Sequence, residues 1–413
     1  TNRIDSFKKE VAKTIDFSAS QRFALYNTTS DLILDNLFFG VGPGNWRIKI
    51  WNYGLYNNTF GDSFAQRPHN DFLWLFAEGG IFTGFSYILI FLILLRDSYW
   101  LFKNSKNAYF FKLIFCCLLG YGFISFFDFP FERTSHLIIL FLFAAIIISN
   151  KIQTSNICYK KVPTAAYLVL FSFLFLSIYI GFIRLNGDVY STKAISFKKK
   201  NNWRQVIKNI DKAYHKSLYN IDGTSTPLLW YKGVANTNQK KLDSALSDFQ
   251  QAYIHNTNHI HVLNNLATLY EINGKYDLAK KFYNKSLDVN PTFKEARVNL
   301  SAIFYNEKKY IDALDIILES KIDLYWRRVR DNDNYDFYLK TIFNSWLIEK
   351  NKTLGLSEQK LLNNLSLYFD DHPASAERKL RAVYNKRKKL NIGYIESLKI
   401  IEEEIKSHEK FIY

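Results

Sequence analysis

The chain has 413 residues, enough for two or three domains, and 17% of them are aromatic, with 36 Phe and 27 Tyr. This aromatic share is well above that of ordinary soluble domains. Lys and Arg exceed Asp and Glu by 16, but the basic residues are dispersed, and many flank apolar runs. Because nucleic-acid-binding proteins gather basic residues on one face, this distribution argues against nucleic acid as a partner.

The first predicted element is an amphipathic helix over residues 20–35. Its apolar residues recur at roughly helical spacing, namely Phe23, Tyr26, Leu32 and Ile33. Arg22 falls in the first turn of this helix, where a cation cannot offset the negative C-terminal end of the helix dipole. We therefore expect Arg22 either to be solvated or to bind an anion.

A glycine-rich stretch follows, "LFFGVGPGNW", with Gly40, Gly42 and Gly44 within five residues. It superficially resembles a dinucleotide-binding fingerprint, but Pro43 and the aromatic residues after it do not form the required helix, and no βαβ unit surrounds it. Two interpretations stay open: a structural turn with an aromatic cap, or a loop that shapes a substrate cavity.

Residues 64–80, "FAQRPHNDFLWLFAEGG", place polar groups directly ahead of an apolar run. His69 can accept a proton near neutral pH, and Arg22 and Arg67 carry forked donors that suit phosphate. From these residues alone, an interfacial histidine can be structural or catalytic. The sequence contains no HExxH motif, no Cys/His cluster and no paired-acid spacing typical of a metal site, so we expect neither a metal nor a cofactor.

Four apolar stretches predict membrane spans, given that crossing a bilayer takes about 20 residues. They are Ile81–Leu95, Tyr109–Phe127, Leu137–Ser149 and Val162–Ile183. The first is long enough only if it begins near Phe72, and the third only if "DFPFERTS" forms its entry. Basic residues are concentrated in the loops after the first and third spans, which predicts that these loops are cytoplasmic. Residues 1–78, the turn at 128–135 and everything after about 184 then lie on the extracytoplasmic side.

The second half of the chain repeats itself every 34 residues. Ala245, Ala279 and Ala313 recur at this interval, and a small residue lies twelve positions before each: Gly233, Ala267 and Ser301. The unit "LNNLATLYEINGKYDLAKKFYNKSLDVNP" resembles a tetratricopeptide repeat, and "NNWRQVIKNIDKAY" is expected to be the second helix of a degenerate unit before it. Such arrays usually bind other proteins on a concave surface.

The sequence therefore predicts an all-α fold, made of a polytopic membrane helix bundle followed by a soluble α-solenoid of tetratricopeptide repeats. We expect a periplasmic catalytic-loop region at 1–78 and about four transmembrane helices at 79–185. The repeat domain is expected at 186–325, and a C-terminal helical extension at 326–413.

Several of these features together resemble the C-terminal core of the O-antigen ligase and polymerase superfamily of bacterial envelope glycosyltransferases. They are Arg22 in an amphipathic helix, "LFFGVGPGNW", "HNDFLWLFAEGGIFTGF" and "FDFPFER", and they cover about residues 15–150. The resemblance implies a multi-pass protein of the bacterial inner membrane. Such a protein transfers a glycan from an undecaprenyl diphosphate carrier to an acceptor on the periplasmic side, without a metal.

The resemblance also implies roles for individual residues. His69 is expected to be the base on the acceptor hydroxyl, and Arg22 to bind the pyrophosphate; Arg67 is added as a second pyrophosphate ligand from its proximity. Asn70, Glu78, Gly42 and Gly44 are expected to support the site. A second family arginine would lie before Thr1, so we expect further spans upstream and no activity from this chain alone.

Three alternative functions remain, two within this class of enzyme and one outside it. The acceptor can be lipid A-core, a polysaccharide or a protein, so a repeat-unit polymerase or a protein O-oligosaccharyltransferase fits the same core. The repeat domain favours a protein partner. A non-enzymatic membrane-anchored scaffold is the alternative of another class, and it predicts that His69 and Arg22 are dispensable.

Overall fold

The structure is a computed structural model. It describes residues 20–54, 65–155, 163–319, 333–371 and 373–409. The chain divides into two compact units, Thr1–His259 and Ile260–Tyr413. The regular elements of the described residues are helices, which confirms the predicted all-α fold. The bounds of the four domains inferred from the sequence stay predictions.

The first unit opens with two helices ahead of the membrane segments. Helix α1 occupies residues 20–35, as predicted, and α2 (Trp46–Lys49) continues into a 3-10 helix, Ile50–Tyr53. The buried face of α1 is formed by Leu25, Thr28, Thr29 and Leu32. Phe23 was assigned to the apolar stripe but is 67% exposed, because the i, i+3, i+4, i+7 face that packs starts at Leu25.

Four helices of the described residues are long and apolar enough to cross a membrane, as the four apolar stretches predict. They are α3 (Asp71–Asn104), α4 (Ala108–Ser125), α5 (Thr134–Thr154) and α6 (Thr164–Lys199). Helix α3 begins one residue before Phe72, so the first span is long enough to cross. The entry to α5 contains a 3-10 helix, Pro130–Glu132, within the "DFPFERTS" segment.

Helices α3, α4 and α5 pack around a shared apolar core. Its members include Phe91 and Leu101 of α3, Phe111 and Leu118 of α4, and Leu140 of α5. The most apolar stretch of α6, in contrast, has no buried residue, and its side chains are free to face lipid. The bundle therefore combines a small protein core with a large lipid-facing surface.

The rest of the first unit is helical and lies after the membrane segments. It contains α7 (Trp203–Ala213), α8 (Leu228–Asn238) and α9 (Leu242–His255). Helix α7 confirms the helix expected from "NNWRQVIKNIDKAY". At Gly233, a Cβ atom would lie 2.6 Å from the ring of Phe249, so the small residue is what lets α8 and α9 approach closely.

The second unit contains two regular helix pairs followed by four less regular helices. The pairs are α10 (Ile260–Ile272) with α11 (Tyr276–Val289), and α12 (Lys294–Asn306) with α13 (Tyr310–Leu318). The later helices are α14 (Asp333–Asn351), α15 (Leu356–Asp371), α16 (Pro373–Leu390) and α17 (Tyr394–Glu409). The small residues Ala267, Ala279, Ser301 and Ala313 are all buried, as close helix packing requires.

Candidate functional site

The site is built around a break in α3 at Gly80. This residue has φ 71° and ψ −172°, outside the helical region, and the helix resumes after it. A Cβ atom at Gly80 would lie 2.2 Å from the carbonyl oxygen of Phe38. The Ile81 N–H donates to the carbonyl oxygen of Leu37 at 2.8 Å. Only glycine combines this positive φ with so close a backbone approach.

The glycine loop, residues 40–45, lies against the end of the first segment of α3. The N–H groups of Val41 and Gly42 donate to the carbonyl oxygens of Ala77 and Glu78, both at 2.9 Å. These carbonyls are left without helical partners by the break, so the loop satisfies them. At Gly40, φ is +63°, and a Cβ would lie 2.5 Å from the backbone of Glu78. The loop and the helix break therefore require each other.

Glu78 also holds the loop with its side chain. Its carboxylate accepts hydrogen bonds from the backbone N–H of Gly44 at 2.8 Å and of Trp46 at 3.2 Å. It thereby caps the N-terminus of α2, where a negative charge is favourable. The indole of Trp46 is fully buried and donates to the Thr29 hydroxyl at 3.1 Å. Glu78 is thus a structural support of the loop.

Next to the loop lies a cleft of about 370 Å³. It is lined by Asn36, Gly40, Val41, Lys49, Asn52 and Tyr53. The buried Trp46 and Trp51 fit the interpretation of the loop as a turn with an aromatic cap. Gly40 and Val41 also line the cleft, and that the cleft holds a substrate stays a prediction.

His69 occupies a strained position directly before α3. Its φ is 53°, a value that non-glycine residues seldom adopt and that occurs more often at functional sites. The Tyr26 hydroxyl of α1 lies 2.9 Å from the carbonyl oxygens of both His69 and Phe126, so it can donate to either. The imidazole packs edge-to-face against Phe129, with 5.2 Å between ring centroids. Asn70 caps α3 by accepting from the Leu73 N–H at 3.0 Å.

The surroundings of His69 favour the neutral form of its imidazole. Burial lowers the pKa of His69 from its usual 6.5, and the positive charges of Arg22 and Arg67 lower it further, against an opposing effect of Asp128. Arg22 precedes Tyr26 by one helical turn, and no acidic side chain of the described residues forms an ion pair with it. Arg22 therefore keeps its charge available for an anion.

Arg67, by contrast, already has an acidic partner. Its guanidinium forms a two-pronged ion pair with Glu132 and lies 4.6 Å from the centre of the Phe129 ring. Arg133 lies 4.9 Å from the centre of the same ring and pairs with Asp128 at 2.7 Å. The turn at 128–133 thus packs beside His69 as a charged, aromatic wall, and Arg67 is part of that wall.

Two residues of the site were missed by the sequence analysis. Asp71 is fully buried and accepts from the Phe131 N–H at 2.9 Å, which anchors the 128–133 turn to α3. The sequence feature that could have indicated this role is the position of Asp71 at the edge of an apolar run. Arg47 donates to the carbonyl oxygen of Gly223 at 3.2 Å, and burial lowers its pKa in spite of Asp222 and Glu78. Nothing in the local sequence indicates a partner 176 residues away.

The loop at residues 222–226, between α7 and α8, contacts the segments on either side of the site. Besides the bond from Arg47, the Ser225 hydroxyl donates to the side-chain oxygen of Gln66 at 3.1 Å. The Asn258 amide donates to the carbonyl oxygen of Ile48 at 3.0 Å. These contacts join the start of the repeat-bearing region to the residues around His69 within the first unit.

The 222–226 loop is held in shape by Asp222, which is 3% exposed. One of its oxygens accepts from the N–H groups of Thr224 and Thr226 at 2.8 and 3.0 Å, and the other accepts from the Tyr231 hydroxyl at 2.8 Å. These bonds lie within the loop and α8, and the loop is held further by Asn256, whose amide donates to the Ser225 carbonyl oxygen at 2.9 Å. Among the residues the structure describes, no group of three His, Cys, Asp or Glu could hold a metal ion.

Comparison with known proteins gives a match at each end of the chain. Residues 1–88 match the family model described as O-antigen ligase, and residues 261–293 match the tetratricopeptide repeat. No curated protein matches. The chain is similar to a solved tetratricopeptide repeat protein from Parabacteroides merdae ATCC 43184, with 19% identity and a TM-score of 0.31 over 54% of this chain and 93% of that one.

Two solved MamA proteins give similar values. MamA AMB-1 is 15% identical, with a TM-score of 0.34 over 46% of this chain and 93% of its own. MamA MSR-1 is 16% identical, with a TM-score of 0.31 over 42% and 93%. The family matches confirm both resemblances stated from the sequence: the chain carries a segment of the O-antigen ligase family at residues 1–88 and a tetratricopeptide repeat at residues 261–293.

Proposed function

We propose that the protein is a membrane glycan ligase. It transfers a glycan from an undecaprenyl diphosphate carrier to an acceptor hydroxyl on the periplasmic side of the bacterial inner membrane. The observation that carries this proposal is the strained His69 at the start of a membrane helix, whose pKa is lowered by burial and by the charge of Arg22, with which no acidic side chain of the described residues forms an ion pair. Both residues lie within the segment that matches the O-antigen ligase family.

In the proposed reaction, the imidazole of His69 takes the proton from the acceptor hydroxyl as its oxygen attacks the anomeric carbon of the donor sugar. The bond between that carbon and the pyrophosphate oxygen breaks, and undecaprenyl diphosphate leaves with the electron pair. Arg22 stabilises the negative charge that develops on the leaving group. The imidazolium then returns its proton to water.

The other predicted site residues have supporting roles in this proposal. Gly42 and Gly44 allow the loop to reach Glu78, Asn70 caps the helix that follows His69, and Arg67 adds positive charge from the 128–133 wall. Guanidinium groups supply the charge stabilisation, so the reaction as proposed calls for no metal ion or cofactor.

The acceptor side of the proposal rests on the repeat region. Tetratricopeptide repeats bind proteins, and two residues that precede the matched repeat in the chain contact segments beside the site: Ser225 bonds to Gln66, and Asn258 bonds to Ile48. These contacts favour a protein acceptor or assembly partner over a lipid one. A protein O-oligosaccharyltransferase is accordingly the second candidate function.

The periplasmic location has its own test. The positive-inside bias supports cytoplasmic loops after α3 and α5, so the chain after α6 is expected in the periplasm. An alkaline phosphatase fused after Lys200 should be active in cells, and the same reporter after Lys106 should be inactive. The reverse pattern would separate the repeat region from the proposed reaction side.

The transfer chemistry is tested by release of undecaprenyl diphosphate from a lipid-linked glycan. The assay uses the full-length protein in lipid nanodiscs with envelope extract as the source of acceptor. His69→Ala and Arg22→Ala should each lose about 100-fold or more, the range for a catalytic base or a leaving-group donor. His136→Ala and Arg96→Ala are matched controls, and both should react at the wild-type rate. Wild-type rates in both His69→Ala and Arg22→Ala would overturn the roles proposed for these residues, and no release by the wild-type protein would support the non-enzymatic scaffold.

A further inference from the structure

Three consecutive apolar side chains are exposed at the end of α1. Leu37, Phe38 and Phe39 have exposed fractions of 36%, 63% and 84%, and we refer to them as the 37–39 strip. A run of exposed apolar residues is unfavourable in water and marks a surface that contacts an apolar partner. The strip has no role in the proposed reaction.

Backbone contacts fix the strip beside the lipid-facing surface of α3. The Leu37 carbonyl accepts from the Ile81 N–H at 2.8 Å, and the Phe38 carbonyl packs against Gly80. After this break, the long apolar segment of α3 begins with Phe82 and Phe85, which are 66% and 58% exposed. The exposed apolar surface of the strip therefore continues into that of a membrane-spanning helix.

Polar groups mark the water side of the same region. Asp35 and Asp31 lie about one and two turns before the strip, on α1, and are exposed, and Asp35 accepts from the Tyr53 hydroxyl at 3.0 Å. Lys49, on the far side of the glycine loop, is also exposed. A change from charged to aromatic side chains over a few residues is typical of segments that lie at a membrane interface.

We propose that the 37–39 strip inserts among the acyl chains of the adjacent bilayer leaflet. The continuity with the lipid-facing side of α3 identifies lipid as the occupant. Because Gly40 follows the strip directly, insertion holds the glycine loop at the membrane surface, where a lipid-linked substrate is present. The inference concerns how the site is anchored, and it does not depend on the proposed reaction.

The test places a fluorophore at single positions in a cysteine-free background with Cys116→Ser, Cys117→Ser and Cys158→Ser. Phe39→Cys and Asp31→Cys are labelled with bimane, and the full chain is reconstituted in phosphatidylcholine vesicles whose acyl chains carry bromine. Bimane at position 39 should lose most of its fluorescence to the brominated lipid, whereas at position 31 it should be unaffected. Position 31 should instead be quenched by iodide from the water.

Two results would overturn the proposal. Quenching of position 39 by iodide would show that the strip faces water. Quenching by neither agent would show that protein covers it, either another segment of this chain or a second copy. Phe38→Cys provides a second position in the strip if the Phe39→Cys protein does not fold, and a wild-type thermal unfolding profile identifies the variants that can be interpreted.

Discussion

The region around His69 and the helix pairs α10–α13 are held together in different ways. The pairs are regular: α11 and α13 begin 34 residues apart, and small buried side chains such as Ala279 and Ala313 let their helices pack closely. The site depends instead on backbone hydrogen bonds between distant segments, made possible by a helix break at Gly80. Substitutions should therefore affect mainly stability in the helix pairs and mainly activity at the site.

The largest expected effect comes from Gly80→Ala. The added methyl would meet the Phe38 carbonyl at 2.2 Å at a positive φ, which separates the glycine loop from α3. Strain and lost hydrogen bonds together should lower the free energy of unfolding by about 3 kcal/mol. The rate at which undecaprenyl diphosphate is released from the donor, here called donor release, should fall about 100-fold. Gly120→Ala is the matched control, since its Cβ meets nothing within 4 Å, and it should retain the wild-type rate. Equal rates in both variants would mean that the break is not needed.

In the repeat region, Ala279→Leu should destabilise by about 2 to 3 kcal/mol, because overpacking a full side chain into a close helix contact forces its neighbours apart. The measurement is thermal unfolding of the full-length protein. Lys281→Leu, on the exposed face of the same helix, should change stability by less than about 0.5 kcal/mol. A large loss of donor release in Ala279→Leu below its melting temperature would erase the contrast between the two regions.

Glu78→Gln sharpens the comparison within the site. The amide keeps one acceptor oxygen, but its N–H₂ group replaces the oxygen that accepted from the N–H of either Gly44 or Trp46. Loss of that hydrogen bond should destabilise the loop by about 1.5 to 2 kcal/mol. We expect donor release to fall by about tenfold to 30-fold with unchanged thermal unfolding of the repeat region. Asp31→Asn, an exposed acid on α1, is the control. An unchanged rate in Glu78→Gln would show that the loop holds its position without this cap.

The smallest expected effect concerns the contacts of the 222–226 region. Asn258→Ala removes one hydrogen bond to Ile48, and Gln66→Ala removes the bond from Ser225, each worth about 1 kcal/mol. Transfer to acceptor should fall about fivefold while binding of undecaprenyl diphosphate stays the same. Asn238→Ala, whose side chain bonds only within α8, serves as control. A weaker binding of undecaprenyl diphosphate in Asn258→Ala would place these contacts on the donor side instead.

The periodic parts of the fold could be predicted from sequence. Helical spacing, apolar length and the 34-residue period each reflect local rules, so α1, the four spans and the repeat helices were identified correctly. The buried face of α1 was harder to predict. Phe23 and Leu25 both fit an apolar stripe, and only the packing partner decides which of the two is buried. The break at Gly80 was also hidden, since Gly79 and Gly80 look alike in the sequence.

For the site, the sequence identified the residue types but not their contacts. His69 and Arg22 belong to recognisable sequence motifs, and the charge of Arg22 contributes to the lowered pKa of His69. The roles of Glu78 and Arg67 depend on partners 34 and 65 residues away, and that of Arg47 on one still further. Such pairings are set by the tertiary fold and leave no local pattern.

The central claim is that neutral His69 is the base, and the pH dependence of glycan transfer tests it most directly. A base must be unprotonated, so the rate falls as the pH drops through its pKa. Because burial and Arg22 lower this pKa, we expect a single-proton decline whose midpoint lies below pH 6.5, the usual pKa of histidine. A decline centred above pH 6.5, or the same acid decline in the residual activity of His69→Gln, would contradict it.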